Sequence, residues 1–180
     1  MLTYNDWQKL NEKKDQVYEF GCSMLYFNSN AIPEIQQGLN EDDIYTEDNG
    51  KSYGLENEHH VTLLYGIHSD VDEADVMRIS ADNIPAITLD AVSVFENTKY
   101  DVLKIDAFGD KLHEINARLR KLPHTSSFPD YHPHATIAYL KPGCGKKYAK
   151  QFAGINETVT PTHTVYSKAD GTKTKHPLNQ

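Results

Sequence analysis

The sequence predicts an α+β fold in which two similar lobes carry antiparallel sheets, with helices packed on their outer faces. Three observations lead there. Two matching tripeptides, His60-Val61-Thr62 and His134-Ala135-Thr136, lie 74 residues apart and run into apolar residues, as HHVTLLYGI and YHPHATIAYL. After each motif comes the same order of elements, a helix and then antiparallel strands. Between them, Leu103, Ile105 and Ala107 alternate with Lys104 and Asp106, the period of a strand with one buried face. At 180 residues the chain reads as one domain, 1–180, large enough to bury a core.

The elements follow in order. Tyr4, Trp7 and Leu10 are three apart, so 3–18 reads as a helix. A strand is expected over 21–27, and a short helix over 32–37, framed by Pro33 and Gly38. Residues 40–58 are acidic and polar, with Asp48-Asn49-Gly50 as a turn, and read as a long loop or insertion. The first motif strand spans about 60–66. Ser69 and Asp72 open a helix that ends near Ser80. Residues 87–96 and 100–108 form a hairpin around Asn97-Thr98-Lys99. From Asp110, Leu112, Ile115, Leu119 and Leu122 make the apolar stripe of the clearest helix. A proline-rich loop leads to the second motif strand, 134–140, and then to a helix over 145–153 closed by Gly154. The chain ends with a strand over 158–167, a turn at Ala169-Asp170-Gly171 and a returning strand. A third match, His124-Thr125-Ser126, sits among prolines and reads as loop.

Residues i and i+2 of a strand share a face. Strict alternation therefore puts His60, Thr62 and Leu64 on one face and Val61, Leu63 and Tyr65 on the other. In the second motif it groups His134, Thr136 and Ala138 against Ala135, Ile137 and Tyr139. The faces without histidine are apolar or aromatic, so Tyr65 and Tyr139 are expected in the core.

Net charge is −8 and uneven: residues 1–140 carry 11 basic and 24 acidic side chains, residues 141–180 carry 7 and 2. That balance disfavours a protein that grips long nucleic acid, which needs a broad basic surface. A small anion needs only a local positive patch, and the C-terminal lysines, Lys141 first among them, could supply it. No apolar run approaches a membrane span and the N-terminus lacks an apolar signal core. Cys22 and Cys144 then read as free thiols of a reducing compartment, which points to the cytoplasm.

Two His-x-Thr motifs on strands of a two-lobed α+β domain resemble the signature of the 2H phosphoesterase superfamily. The runs GLENEHHVTLLYG and YHPHATIAYL are similar to members encoded by bacteriophages, and most similar to the phage anti-CBASS nucleases. The order of elements fits roughly 18–177, while the specific match is confined to the motifs and their flanks. The resemblance implies a bilobed fold with two antiparallel sheets flanking a central cleft. It also implies a phosphodiesterase that hydrolyses 3′,5′ bonds of small cyclic oligonucleotide signals of bacterial defence, acting in the host cytoplasm. His60, Thr62, His134 and Thr136 are then its catalytic residues.

The chemistry suits those residue types. Phosphodiester cleavage needs one proton removed from the attacking oxygen and one given to the leaving oxygen, and histidine titrates near neutrality. Threonine hydroxyls donate to the non-bridging oxygens. The scheme needs no cofactor and no metal. A zinc reading of His59, His60, His132 and His134 fails on geometry, because adjacent strand residues point to opposite faces and no Asp or Glu has ligand spacing. Tyr26, Phe128 and Tyr131, beside the motif elements, are the candidates for stacking on a base, and Lys141 for meeting its phosphate. Two other readings stand: an RNA-end 2′,3′-cyclic phosphodiesterase or 2′–5′ ligase-like enzyme, and a non-catalytic sponge for cyclic nucleotides. The residues leave open which histidine is the acid, and the oligomeric state.

Overall fold

A computed structural model describes residues 18–47, 53–126 and 128–178. The helix expected over 3–18 and the turn at 48–50 lie outside them, save Tyr18. In chain order the elements are β1 Gly21–Phe27, α1 Ala31–Gln37, a 3₁₀ turn Glu41–Asp43, β2 His60–Ile67, α2 Glu73–Ser80, β3 Ile87–Phe95, β4 Asp101–Phe108, α3 Asp110–Leu119, β5 His134–Leu140, α4 Gly145–Gln151, β6 Glu157–Val159, β7 Pro161–Ser167 and β8 Lys173–Pro177. They form two four-stranded antiparallel sheets, ordered β2-β1-β7-β8 and β5-β4-β3-β6. The α+β expectation is borne out.

Both motif strands are sheet edges, and β2 packs against β5. An open edge leaves backbone groups unpaired, and each is covered by a loop. Pro123 and Thr125 pair with the end of β2, through His68 N–H to Pro123 O (3.1 Å) and Thr125 N–H to Gly66 O (2.8 Å). This approach needs a glycine: Gly66 has φ +98°, and a Cβ there would sit 1.8 Å from the Thr125 carbonyl oxygen. The acidic 40–58 segment is the counterpart on β5. Tyr45 N–H donates to Tyr139 O (2.9 Å), Tyr139 N–H to Gly54 O (2.8 Å) and Glu56 N–H to Ile137 O (3.0 Å).

The helices cross between lobes. α2 and α3 cover the first sheet, with α3 on β2, although α3 follows β4 of the second. α4 covers β3 and β4, and α1 covers β5, although α1 follows β1 of the first. α3 has the predicted stripe: Leu112, Ile115 and Leu119 are fully buried, each contributing about 1.5–3 kcal/mol. They join Leu25, Val61, Leu103, Ile105 and Ala135 in an apolar core that runs through both lobes. Asp72 alone caps α2, accepting from Ala74 N–H (2.9 Å). The Glu157 carboxylate of β6 accepts from Asn30 and Ala31 N–H at the start of α1 (2.9 and 3.1 Å), tying the second sheet to the first.

Two boundaries differ from expectation. The strand expected over 158–167 is two strands in different sheets, since Pro161 lacks an N–H and the chain changes lobe there. α4 stops at Gln151, with Phe152 as its C-cap, before Gly154.

Candidate active site

Each motif strand carries a bulge just after its threonine. In β2, Thr62 pairs with Met24 and Leu64 with Ser23, leaving Leu63 over. In β5, Thr136 pairs with Lys104 and Ala138 with Leu103, leaving Ile137 over. An extra residue reverses the facing of everything beyond it. Leu63 and Leu64 both enter the core under the helices, as do Ile137 and Ala138. Tyr65 and Tyr139 turn to the histidine face, Tyr65 among Cys22, Met24 and Tyr26, and Tyr139 against Tyr100 and Val102. The expected facings of Leu64, Tyr65, Ala138 and Tyr139 are thus overturned, because strict alternation has no place for the extra residue.

A side-chain amide holds each bulge. Asn116 of α3 donates to Leu63 O (2.7 Å), and Gln36 of α1 donates to Ile137 O (2.9 Å). The helix that crosses from the other lobe supplies it in both cases.

Upstream of the bulges, His60 and Thr62 share one face and His134 and Thr136 the other lobe's equivalent. Nδ1 of His60 lies 2.6 Å from Glu58 O, and Nδ1 of His134 lies 2.8 Å from His132 O. A carbonyl only accepts, so each Nδ1 carries the hydrogen and each Nε2 is left to give or take a proton. The Oγ1 atoms of Thr62 and Thr136 are buried without a hydrogen bond of ordinary length, the Cys22 thiol being the polar group beside Thr62.

The surroundings of the two rings differ. His60 is 4% exposed and stacks on Tyr26, with centroids 5.2 Å apart, and Tyr26 stacks in turn on His163. His134 is half-buried with the Phe95 ring edge-on at 5.1 Å. Burial lowers the His134 pKa to about 4, and Lys104 and His60 push the same way, against the His132 carbonyl and Asp106. His134 is therefore neutral at pH 7, and His60 acts on it across the lobes.

A cavity of about 590 Å³ opens between the lobes, with Thr62, Tyr65, Phe95, Phe128, Tyr131 and His134 among its walls. Of the residues expected to meet a base, Phe128 is half exposed on the wall, while Tyr131 donates its hydroxyl to Thr62 O (2.9 Å). Tyr26 is 8% exposed, its ring stacked on those of His60 and His163. Lys141 follows the far end of β5 and is exposed, its N–H bonded to Asp43 O (2.7 Å). Three other C-terminal lysines, Lys146, Lys147 and Lys168, pair with Glu96, Asp43 and Glu73. Much of the charge asymmetry is thus neutralised within the fold.

Sequence reasoning missed Tyr65, Phe95 and Lys104. The polar face of β4 was visible in its alternation, but only the register, Lys104 opposite Thr136 and Asp106 opposite His134, shows that this face meets the site. Among the described residues no three His, Cys, Asp or Glu side chains are grouped to hold a metal ion, and no helix is long and apolar enough to cross a membrane.

Two sheets, each with a His-x-Thr strand at the edge that meets the other lobe, are the arrangement that the resemblance to the 2H phosphoesterases implies. A family model described as "Anti-CBASS protein Acb1" matches residues 45–170, and the chain belongs to that family. Its backbone is similar to Kluyveromyces marxianus Usb1, with TM-score 0.51 and 12% identity over 89% of this chain and 98% of that one, a likeness of fold. Lower scores relate it to a structure described as a phosphoesterase (TM-score 0.47, 14% identity, 89% and 96% covered) and to E. coli LigT complexed with phosphate (0.43, 14%, 89% and 94%). No curated protein matches the chain.

Proposed function

We propose that the protein is a metal-independent phosphodiesterase that cleaves 3′,5′ bonds of a small cyclic oligonucleotide, acting against bacterial defence signalling in the cytoplasm of an infected cell. Family membership supports the setting. The observation that carries the chemistry is the pair of histidines on facing edge strands, each with Nδ1 tied to the carbonyl two residues earlier.

Neutral His134 suits the base. Its Nε2 takes the proton of the attacking hydroxyl, the ribose 2′-OH or water, as the new P–O bond forms. His60, protonated, gives its Nε2 proton to the 5′ oxygen as the old P–O bond breaks. Thr62 and Thr136 donate to the non-bridging oxygens, where charge accumulates. The cavity volume is within the usual range for a ligand site, and its aromatic walls suit a base better than a long charged backbone.

Incubation with a panel of cyclic di- and trinucleotides in chelator, followed by mass spectrometry, tests this. Linear products from at least one member are expected. Binding without cleavage would establish a sponge instead, and cleavage only of RNA 2′,3′-cyclic ends would move the substrate to RNA.

A further inference from the structure

We infer that Lys104 is a further catalytic residue, whose ammonium takes a non-bridging oxygen of the scissile phosphate beside Thr136. In the free protein the same ammonium is held by Asp106. Resting on the phosphodiesterase reading, this gives the non-bridging oxygens a charged donor. The two imidazoles act on the attacking and leaving oxygens, and the threonine hydroxyls are uncharged donors.

The geometry singles out this side chain. Among the described residues Lys104 is the one buried lysine or arginine, 6% exposed. It stands opposite Thr136 in the β4–β5 register, on the same face as His134. Its Nζ lies 4.6 Å from the centre of Phe95, the ring that meets His134 edge-on and lines the cavity. Ser93 Oγ accepts from it at 2.7 Å, and Asp106 pairs with it. A buried ion pair is often no more stable than an apolar replacement, because desolvation offsets the attraction. Stability alone therefore gives little reason for a lysine here. Asp106, with 31% of its side chain exposed, is placed to turn to water when a phosphate arrives. No covalent step is involved, only an exchange of one anion for another.

The test uses Lys104→Met, Lys104→Arg and Asp106→Asn in the full chain. Inorganic phosphate binding is followed by ³¹P NMR, single-turnover cleavage of the cyclic nucleotide is timed, and thermal unfolding is recorded. Lys104→Met is expected to lose about 10²–10³ in rate, the effect of removing one transition-state donor. It should bind phosphate at least about tenfold more weakly, and Lys104→Arg should recover part of both losses. Asp106→Asn, which frees the ammonium, should bind phosphate more tightly. A Lys104→Met protein within about threefold of wild type in rate and phosphate affinity would overturn the assignment, on the scale of that donor effect. So would weaker phosphate binding by Asp106→Asn, which is what a purely structural pair predicts and which stands even if Lys104→Met fails to fold. A wild-type protein inert toward every cyclic nucleotide would defeat the substrate reading instead, and the phosphate measurements would still decide the role of Lys104.

Discussion

β2 and β5 share a backbone plan: a sheet edge, a histidine tied at Nδ1, a threonine two residues on, a bulge held by an amide from the other lobe, and a tyrosine turned to the histidine face. They differ in what stands behind the histidine. In the first lobe His60 is sealed by a stack of rings. In the second, His134 meets a lysine–aspartate pair and the edge of Phe95. The repeated backbone aims two imidazoles alike, and the unlike surroundings lower the pKa of His134. That lowering is what suits His134 to the base in the proposed reaction.

The largest effect should come from breaking the pair. His60→Ala and His134→Ala should each lose about 10²–10⁴ in single-turnover rate, and the double variant should be little worse than either, since neither proton transfer serves without the other. A single variant near the wild-type rate would end the two-histidine account.

The tyrosines sharpen the comparison. Tyr139 is 6% exposed beneath Tyr53 and Tyr100, so Tyr139→Ala should cost about 3–5 kcal/mol in urea unfolding. Tyr65 lines the cavity, so Tyr65→Ala should instead raise KM by roughly tenfold, within the 1–3 kcal/mol of a stacked base. Interchanged outcomes would show that the bulges turn the two rings to different tasks from those assigned.

Smaller effects should follow at the amides. Asn116→Ala leaves the buried Leu63 carbonyl without its partner, at a cost of about 1–3 kcal/mol. Gln36→Ala should cost less, because Ile137 O keeps its bond from Glu56 N–H. Equal losses in urea titrations would mean that the two bulges are not held as described.

Much of the scaffold was legible because apolar period and turn chemistry act locally. The hairpin of β3 and β4, the α3 stripe and β5 itself all stand where those signals put them. The four motif residues were legible because histidine and threonine at i and i+2 share a face over that short span. What lay hidden depends on contacts between distant segments. The bulges need Asn116 and Gln36, some fifty and a hundred residues from the strands they hold. Without them, alternation sends Tyr65 to the wrong face. Pro161 was in plain view, but that it carries the chain from one sheet to the other depends on β6 finding β3. Lys104 was visible as the polar half of an alternating strand, and only register brings it to Thr136.

The central claim is that one histidine of the pair rests neutral and serves as the base. Titration of the histidine Cε1–H resonances by NMR in the wild-type protein, assigned with His60→Ala and His134→Ala, tests it most directly. The account predicts that His134 remains neutral down to about pH 4, held there chiefly by burial, well below an ordinary imidazole. The wild-type rate should then persist on the acid side until that same pH. A His134 that titrates near 6.5, the value of a free side chain, would contradict the assignment of base and acid and leave the two lobes equivalent.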